Sequence, residues 1–146
     1  GKIIETNFIN SGNDAIDLSG SILDLKSIMI RLAGDKAISA GEKSIVQGEN
    51  ISIFDSELGI AAKDLSVFNL KNIKIENTKV GLLAFQKKAE YGKAKITVDD
   101  YEFKQVKIPT LIERESVLTL NGVQKTSKYE NIEDVLYGKL YGKSSQ

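Results

Sequence analysis

The chain has 146 residues, 41% of them apolar, and its 20 basic and 20 acidic residues cancel. This length suffices for one domain with a continuous core, and scattered, balanced charge creates no field that would recruit nucleic acid. The absence of Cys and His excludes disulfides and zinc–thiolate sites and removes the commonest general base. No apolar run approaches the roughly 18 residues of a membrane span. From the balanced charge we expect no nucleic-acid partner, and from the short apolar runs we expect no membrane-spanning segment.

The first part of the chain is built from short alternations of apolar and polar residues separated by turn residues. An opening strand over residues 2–10 runs into a turn-rich cluster at 11–14, and further strands are predicted over 15–19, 22–25 and 28–30. The same order returns with strands over 37–40, 44–46 and 50–53, and again over 59–62, 66–68 and 72–75. Three short strands and three turns therefore make one unit.

These units recur at a fixed interval. Gly34 follows Gly12 by 22 residues, and the same step leads from Ile38 to Ile60 and on to Leu82. In the fourth unit an extra segment, residues 86–93, separates the first strand from the second, and a spacing of 29 from Val67 to Ile96 predicts an insertion of about seven residues. A fifth, less regular unit ends near residue 120. This periodicity predicts a solenoid.

A repeat of this length fits either a leucine-rich repeat or a right-handed parallel β-helix. The inward positions hold Ile, Val, Ala and Leu in short β-branched runs rather than an ordered Leu pattern, which favours an all-β, right-handed, single-stranded parallel β-helix of about five rungs. Equivalent residues should then stack in columns, and Asn50 and Asn72 should form a structural ladder of side-chain hydrogen bonds at a tight turn.

The sequence changes character after Leu120. Asn121-Gly122 is a strong signal for a two-residue hairpin, and Asn131 is suited to capping a short helix whose apolar face is Ile132, Val135 and Leu136. We therefore divide the single domain into rungs over 1–120 and a C-terminal cap and tail over 121–146. The first rung has no comparable cap, so we expect a longer protein with an upstream domain.

The stretch Asn-Phe-Ile-Asn-Ser-Gly-Asn-Asp-Ala-Ile-Asp-Leu-Ser-Gly-Ser over residues 7–21, with Gly-Asp-Lys-Ala-Ile-Ser after it, resembles the right-handed parallel β-helix repeat family. Members include pectate lyases, polysaccharide epimerases and the β-helical C-terminal regions of bacterial surface proteins related to spore-coat protein H. The resemblance covers roughly residues 7–120. It implies an extracellular or cell-surface bacterial protein with carbohydrate in its biology.

In enzymes of that family, charged residues line a groove on a parallel sheet. The outward positions of the first strand here are Asp17, Ser39, Ala61 and Leu83, and no pair of carboxylates at glycosidase separation is evident. Two cations, Lys63 and Arg114, could serve as a base or an anion clamp, or could belong to the solvated surface. The sequence therefore assigns no catalytic residue.

The sequence offers a candidate metal site. Asp14 and Asp17, with Asn13 nearby, could supply oxygen ligands to Ca²⁺, although they fall short of the 6 to 8 oxygens of a complete site. We expect no other cofactor.

The sequence also offers a candidate ligand-binding site in the inserted loop, residues 86–93. Two aromatic rings could stack on a sugar and three charged side chains could supply polar contacts: Phe85, Tyr91, Lys87, Lys88 and Glu90. Alternatively, the loop folds over Leu83 and Ile112 and covers their apolar surface.

These features favour a non-catalytic interaction module at the C-terminal end of a larger bacterial surface or secreted protein, which presents a sheet face and the inserted loop to a polysaccharide or to a neighbouring domain. The alternative is the C-terminal part of a polysaccharide lyase, epimerase or hydrolase whose catalytic rungs lie upstream. Depolymerisation of an acidic polysaccharide by this chain alone would distinguish the two hypotheses.

Overall fold

The structure is a computed structural model, and it describes residues 1–88 and 90–125 together with Ile132 and Leu136. Its ten strands are β1 (Lys2–Ile9), β2 (Ile16–Ser19), β3 (Ile22–Arg31), β4 (Lys36–Gly41), β5 (Ile45–Phe54), β6 (Leu58–Lys63), β7 (Val67–Phe85), β8 (Lys95–Ile112), β9 (Val117–Leu120) and β10 (Val123–Lys125). No helix in the described part of the chain has the length and apolar character needed to cross a bilayer.

The strands wind into a parallel β-solenoid of about five turns. Each strand pairs in parallel with the equivalent strand of the next turn, and the register places Ile16 beside Ile38, Ile38 beside Ile60, and Ile60 beside Leu82. The long strand β7 pairs with β5 through its first half and with β6 through its second half, so one strand passes through two faces of the coil. The all-β solenoid with a repeat near 22 residues is confirmed, and the right-handed winding stays a prediction.

One series of corners of the coil is made by single residues with positive φ. The strands predicted over 22–25 and 28–30 are one strand, β3, which bends at Ser27 with φ of 56°. The equivalent corner positions in the next turns are Asn50 and Asn72, with φ of 55° and 60°. Asn tolerates this left-handed region better than most residues do. The ladder bond expected between them is present, since Asn72 Nδ2 donates to Asn50 Oδ1 at 2.6 Å.

Replacing Asn72 with Ala should lower the free energy of unfolding by about 1 to 2 kcal/mol, because Ala loses the ladder hydrogen bond and is strained at positive φ. Asn72→Gly removes the same hydrogen bond but adopts the left-handed backbone without steric cost. Urea unfolding followed by circular dichroism should therefore place Asn72→Gly between the wild type and Asn72→Ala. Equal stabilities for the two variants would show that the corner geometry contributes nothing.

The interior of the coil is filled by stacked apolar columns. Strand β5 contributes Val46, Ile51 and Ile53, and β7 contributes Phe68 and Ile75, all of them fully buried. Alternate residues of each strand face this core because successive side chains of a strand point to opposite sides. The residues between them lie on the outside of the coil and form the surfaces described below.

The inserted segment is one residue shorter than predicted. Ile45 pairs with Val67 at the ordinary step of 22, whereas Val67 pairs with Lys95 at a step of 28. Six residues are therefore inserted rather than about seven. The prediction erred because it matched Val67 with Ile96, while the register pairs Phe68 with Ile96.

The two-residue hairpin after Leu120 is confirmed. Asn121 and Gly122 have φ of 48° and 81°, and Val123 pairs antiparallel with Leu120. Most of the predicted cap over 121–146 lies outside the described residues. Ile132 and Leu136 have the helical backbone conformation that was predicted for them. They pack against the side of the coil, whereas the cap was expected over its end.

Candidate functional site

The residues of the outward column of the first strand are in register as predicted, but most of them are buried from solvent. Asp17 lies beside Ser39, Ser39 beside Ala61, and Ala61 beside Leu83. Only Asp17 is exposed, and the other three residues are fully buried. The column becomes apolar from Ala61 onward, and an apolar sheet face needs a cover.

Ile132 and Leu136 provide that cover. They form a second hydrophobic cluster, distinct from the interior core, with residues on the outer side of β6, β7 and β8: Leu58, Ala61, Val80, Leu83, Phe85 and Leu111. Because Ile132 and Leu136 are four residues apart in helical conformation, their side chains lie on one face. We call the covered residues the apolar outer face, and it is not available to a ligand while these two residues occupy it.

A buried carboxylate, Glu113, joins this cover to the inserted loop. Its residue is 3% exposed. Glu113 Oε2 accepts the backbone N–H of Ile132 at 3.1 Å, while Oε1 accepts the backbone N–H of Gln86 at 3.3 Å and forms an ion pair with the ammonium group of Lys93. One side chain therefore holds both ends of the loop and the segment that covers the apolar outer face.

The inserted loop is held at its start by a second buried carboxylate. Asp64 Oδ1 accepts the backbone N–H groups of Lys87 and Lys88 at 2.6 and 2.8 Å. The Lys88 ammonium pairs with Glu42, and the hydrogen bond between them lowers the pKa of Glu42 and raises that of Lys88. The backbone at Lys87 and Lys88 is therefore held in place, while the side chains of Lys87, Lys88 and Glu90 are exposed.

The two predicted stacking rings differ in accessibility. Phe85 is 1% exposed and belongs to the cluster under Ile132 and Leu136, so its ring offers no face to a sugar. Phe85 was placed in the site because it stands at the root of the insertion, but it is still a residue of β7, whose outer side is covered. Tyr91 is half-buried, and the Lys43 ammonium lies 6.0 Å from the centre of its ring.

The loop contacts an apolar residue that was not predicted. Gly92 lies against Leu65, whose backbone N–H donates to the Gly92 carbonyl at 3.1 Å. Leu83, which the sequence analysis proposed as covered by the loop, is covered by Ile132 and Leu136 instead. The loop therefore extends the corner around Leu65, and the apolar outer face is covered by a different segment.

The candidate Ca²⁺ residues lie at the polar end of the same sheet. Asp14 Oδ1 accepts the backbone N–H of Lys36 at 3.0 Å and lies 3.8 Å from its ammonium group. Burial raises the pKa of Asp14. The described residues contain no group of three or more side chains able to hold a metal ion. The Ca²⁺ site therefore stays a prediction that rests on Asp14 and Asp17.

A groove on another face of the coil was not predicted. It crosses β3, β5, β7 and β8 with a volume of about 500 Å³, and two outward columns line it. The first column is Asp24, Gln47, Asn69 and Thr97, and the second is Lys26, Glu49, Lys71 and Asp99. Leu25, Gly48 and Leu70 lie between the columns in the floor. We call this surface the polar groove.

The signal for the polar groove was present in the sequence. Two outward columns of the second strand of each unit are polar in four successive turns, and the charges of the second of these columns alternate in sign along the coil. Opposite charges on neighbouring strands support one another, so the alternation also has a structural role. The family resemblance points to the first strand, so these columns on the second strand were not predicted to form a site.

Compared with known proteins, the chain matches no family model, no curated protein and no solved structure.

Proposed function

We propose that this chain is a non-catalytic interaction module that binds an extended polysaccharide along the polar groove. The observation that supports the proposal is the repetition of polar side chains in two parallel columns over four turns. The floor of the groove between these columns is long enough to accept a chain-like ligand. A ligand rich in hydroxyl groups can hydrogen-bond to carboxylate and amide groups at each turn.

The spacing of the groove suits a polymer better than a single small molecule. Neighbouring strands lie about 4.8 Å apart, so Gln47 and Asn69 present equivalent amide groups at successive turns. A repeating ligand can meet this repeat several times, and weak contacts then add through high effective concentration. The shallow shape of the groove favours many modest contacts over one enclosed site.

The inserted loop is the second part of the proposal. Tyr91 keeps part of its ring accessible, and Lys87, Lys88 and Glu90 are exposed around it. Loops on a rigid scaffold are common recognition elements. An extracellular or cell-surface setting, an upstream domain as a partner, and a relation to pectate-lyase-like and spore-coat-protein-H-like solenoids rest on the sequence resemblance alone.

The test is retention of the chain on a panel of immobilised polysaccharides, measured by affinity electrophoresis. The double substitution Gln47→Ala and Asn69→Ala should reduce retention on the bound polysaccharide by tenfold or more, because each lost hydrogen bond contributes about 0.5 to 1.5 kcal/mol. Ser52→Ala, outside the groove on β5, is the matched control and should leave retention unchanged. Tyr91→Ala should weaken retention only if the loop contributes.

Two outcomes would contradict the proposal. Equal retention of the wild type and the double variant on every polysaccharide would exclude the polar groove as a binding surface. New ultraviolet absorbance from unsaturated chain ends, produced by the wild-type chain on an acidic polysaccharide, would favour the lyase hypothesis over a binding module.

A further inference from the structure

An exposed apolar stripe runs along the coil beside the polar groove. Ile22 on β3, Ile45 on β5 and Val67 on β7 are paired in register, so their side chains form one outward column over three successive turns. Ile22 is 69% exposed, Ile45 is 40% exposed, and Val67 is half-buried. We call these three residues the aliphatic stripe. Aligned apolar side chains on a surface indicate an interaction site more strongly than single exposed residues do.

The aliphatic stripe and the polar groove belong to the same sheet face. Ile45 stands two positions before Gln47 on β5, and Val67 stands two positions before Asn69 on β7. Residues two positions apart on a strand point to the same side and are about 7 Å apart along it. A ligand in the polar groove is therefore close enough to contact the stripe at each turn.

The inserted loop borders the aliphatic stripe on its other side. The Lys43 ammonium, at the corner just before β5, lies 6.0 Å from the centre of the Tyr91 ring. Gly92 lies against Leu65, at the corner just before β7. The first residues of β5 and β7 belong to the stripe. The stripe therefore joins the loop and the polar groove into one continuous surface.

The charges of the polar groove oppose a polyanion. In the second column the charges alternate in sign from turn to turn, in the order Lys26, Glu49, Lys71 and Asp99, and Asp24 adds a carboxylate in the first column. Neighbouring turns are about 4.8 Å apart, so a polymer with a carboxylate on every sugar would meet like charges beside each ammonium group. Uncharged hydroxyl groups avoid this repulsion and can donate to the carboxylates or accept from the amides and ammonium groups.

We propose that the polysaccharide bound in the polar groove is uncharged and places an apolar side on the aliphatic stripe. This inference rests on the proposed function, and it names the class of polysaccharide and the second surface that holds it. A sugar ring carries hydroxyl groups around its edge and C–H groups on its faces, so one ring can hydrogen-bond to Gln47 while its C–H groups pack against Ile45. The same two contacts recur one turn further on, at Asn69 and Val67.

The test compares two matched pairs of polymers by affinity electrophoresis: hydroxyethylcellulose with carboxymethylcellulose, and methyl-esterified pectin with polygalacturonate. The members of each pair share a backbone and differ in charge, and we expect stronger retention on the uncharged member. The double substitution Ile45→Thr and Val67→Thr should weaken that retention by about fivefold or more, because apolar burial is lost at two turns. Thr keeps the β-branched shape that suits a strand. Ile9→Thr, at an exposed residue of β1 outside the stripe, is the matched control.

A further variant tests the charge argument by a gain of binding. Glu49→Lys places ammonium groups in three successive turns of the second column, from Lys26 to Lys71. This variant should be retained on carboxymethylcellulose and polygalacturonate more strongly than the wild type, because a continuous row of cations attracts a polyanion. Glu49→Gln removes one repulsive charge without adding a cation, so its gain should be smaller.

The possible failures of this inference and of the proposed function are distinguishable. Stronger retention on the acidic polymers, lost in the Gln47→Ala and Asn69→Ala double variant, would overturn this inference and leave the groove as a binding surface. Unchanged retention of the Ile45→Thr and Val67→Thr variant on the uncharged polymers would likewise exclude the stripe alone. A wild-type dimer that this variant converts to a monomer would assign the stripe to a second copy of the chain. Absence of retention on every polymer would contradict both proposals.

Discussion

Replacing Gly59 with Ala should destabilise the protein by about 3 kcal/mol or more. A Cβ at this position would lie 2.2 Å from the backbone carbonyl oxygen of Gly81 in the next turn, far inside van der Waals contact. The obstacle is backbone rather than a flexible side chain, so relief requires that β6 and β7 move apart. Because these strands are hydrogen-bonded from Leu58 to Lys63, the separation would cost ladder hydrogen bonds as well as packing.

The measurement is urea unfolding followed by circular dichroism, with Gly12→Ala as the matched control. A Cβ on Gly12 would meet no atom within 4 Å, so this variant should keep wild-type stability to within about 0.5 kcal/mol. If Gly59→Ala proved as stable as Gly12→Ala, adjacent turns could not approach each other at Gly59 and Gly81 as closely as described.

The repeat of the solenoid could be predicted from the sequence because its cause is local and periodic. A strand that pairs with its equivalent in the next turn must place similar residues at a constant step, and the step from Ile16 to Ile38 and Ile60 is visible without a structure. The hairpin at Asn121 and Gly122 was equally predictable, since a two-residue turn with positive φ at both positions selects these residue types.

The candidate site was harder to predict because it depends on which surface a distant segment covers. Leu83 was correctly placed on the outer side of β7, but nothing in the repeat indicates that Ile132 and Leu136 pack against it. The burial of Phe85 could not be predicted for the same reason. Contacts between residues about 50 positions apart, unrelated by the repeat, leave no periodic signal.

The absence of partners for the Ser39 hydroxyl and the Lys63 ammonium could not be predicted from the sequence either. Ser39 and Lys63 look like ordinary residues of two strands, and Lys63 was predicted to serve as a base or an anion clamp, or to belong to the solvated surface. What distinguishes them is an absence of partners within the described residues together with burial. Both properties follow from the packing of neighbouring turns and have no counterpart in residue type or spacing.

Replacing Glu113 with Ala should both destabilise the protein and uncover the apolar outer face. The variant removes the acceptors for the Ile132 and Gln86 N–H groups and leaves the Lys93 ammonium without its partner. Removal of one member of a buried ion pair costs about 3 to 5 kcal/mol, and we expect about 2 to 3 kcal/mol here because Lys93 is partly exposed to solvent.

The location of the effect separates this explanation from general destabilisation. Hydrogen exchange should accelerate at Gln86 and Ile132, and binding of a fluorescent hydrophobic dye should rise as Leu83 and Leu111 lose their cover. The backbone near the ladder at Asn50 and Asn72 should keep its protection from exchange.

Glu113→Gln keeps an acceptor oxygen but loses the charge, so its exchange rates and dye binding should fall between those of the wild type and those of Glu113→Ala. The control Glu102→Ala, which breaks only an exposed pair with Lys104, should behave as the wild type. Uniform acceleration throughout the coil in Glu113→Ala would instead show that Glu113 supports the solenoid as a whole, and that the cover over the apolar outer face has no separate attachment.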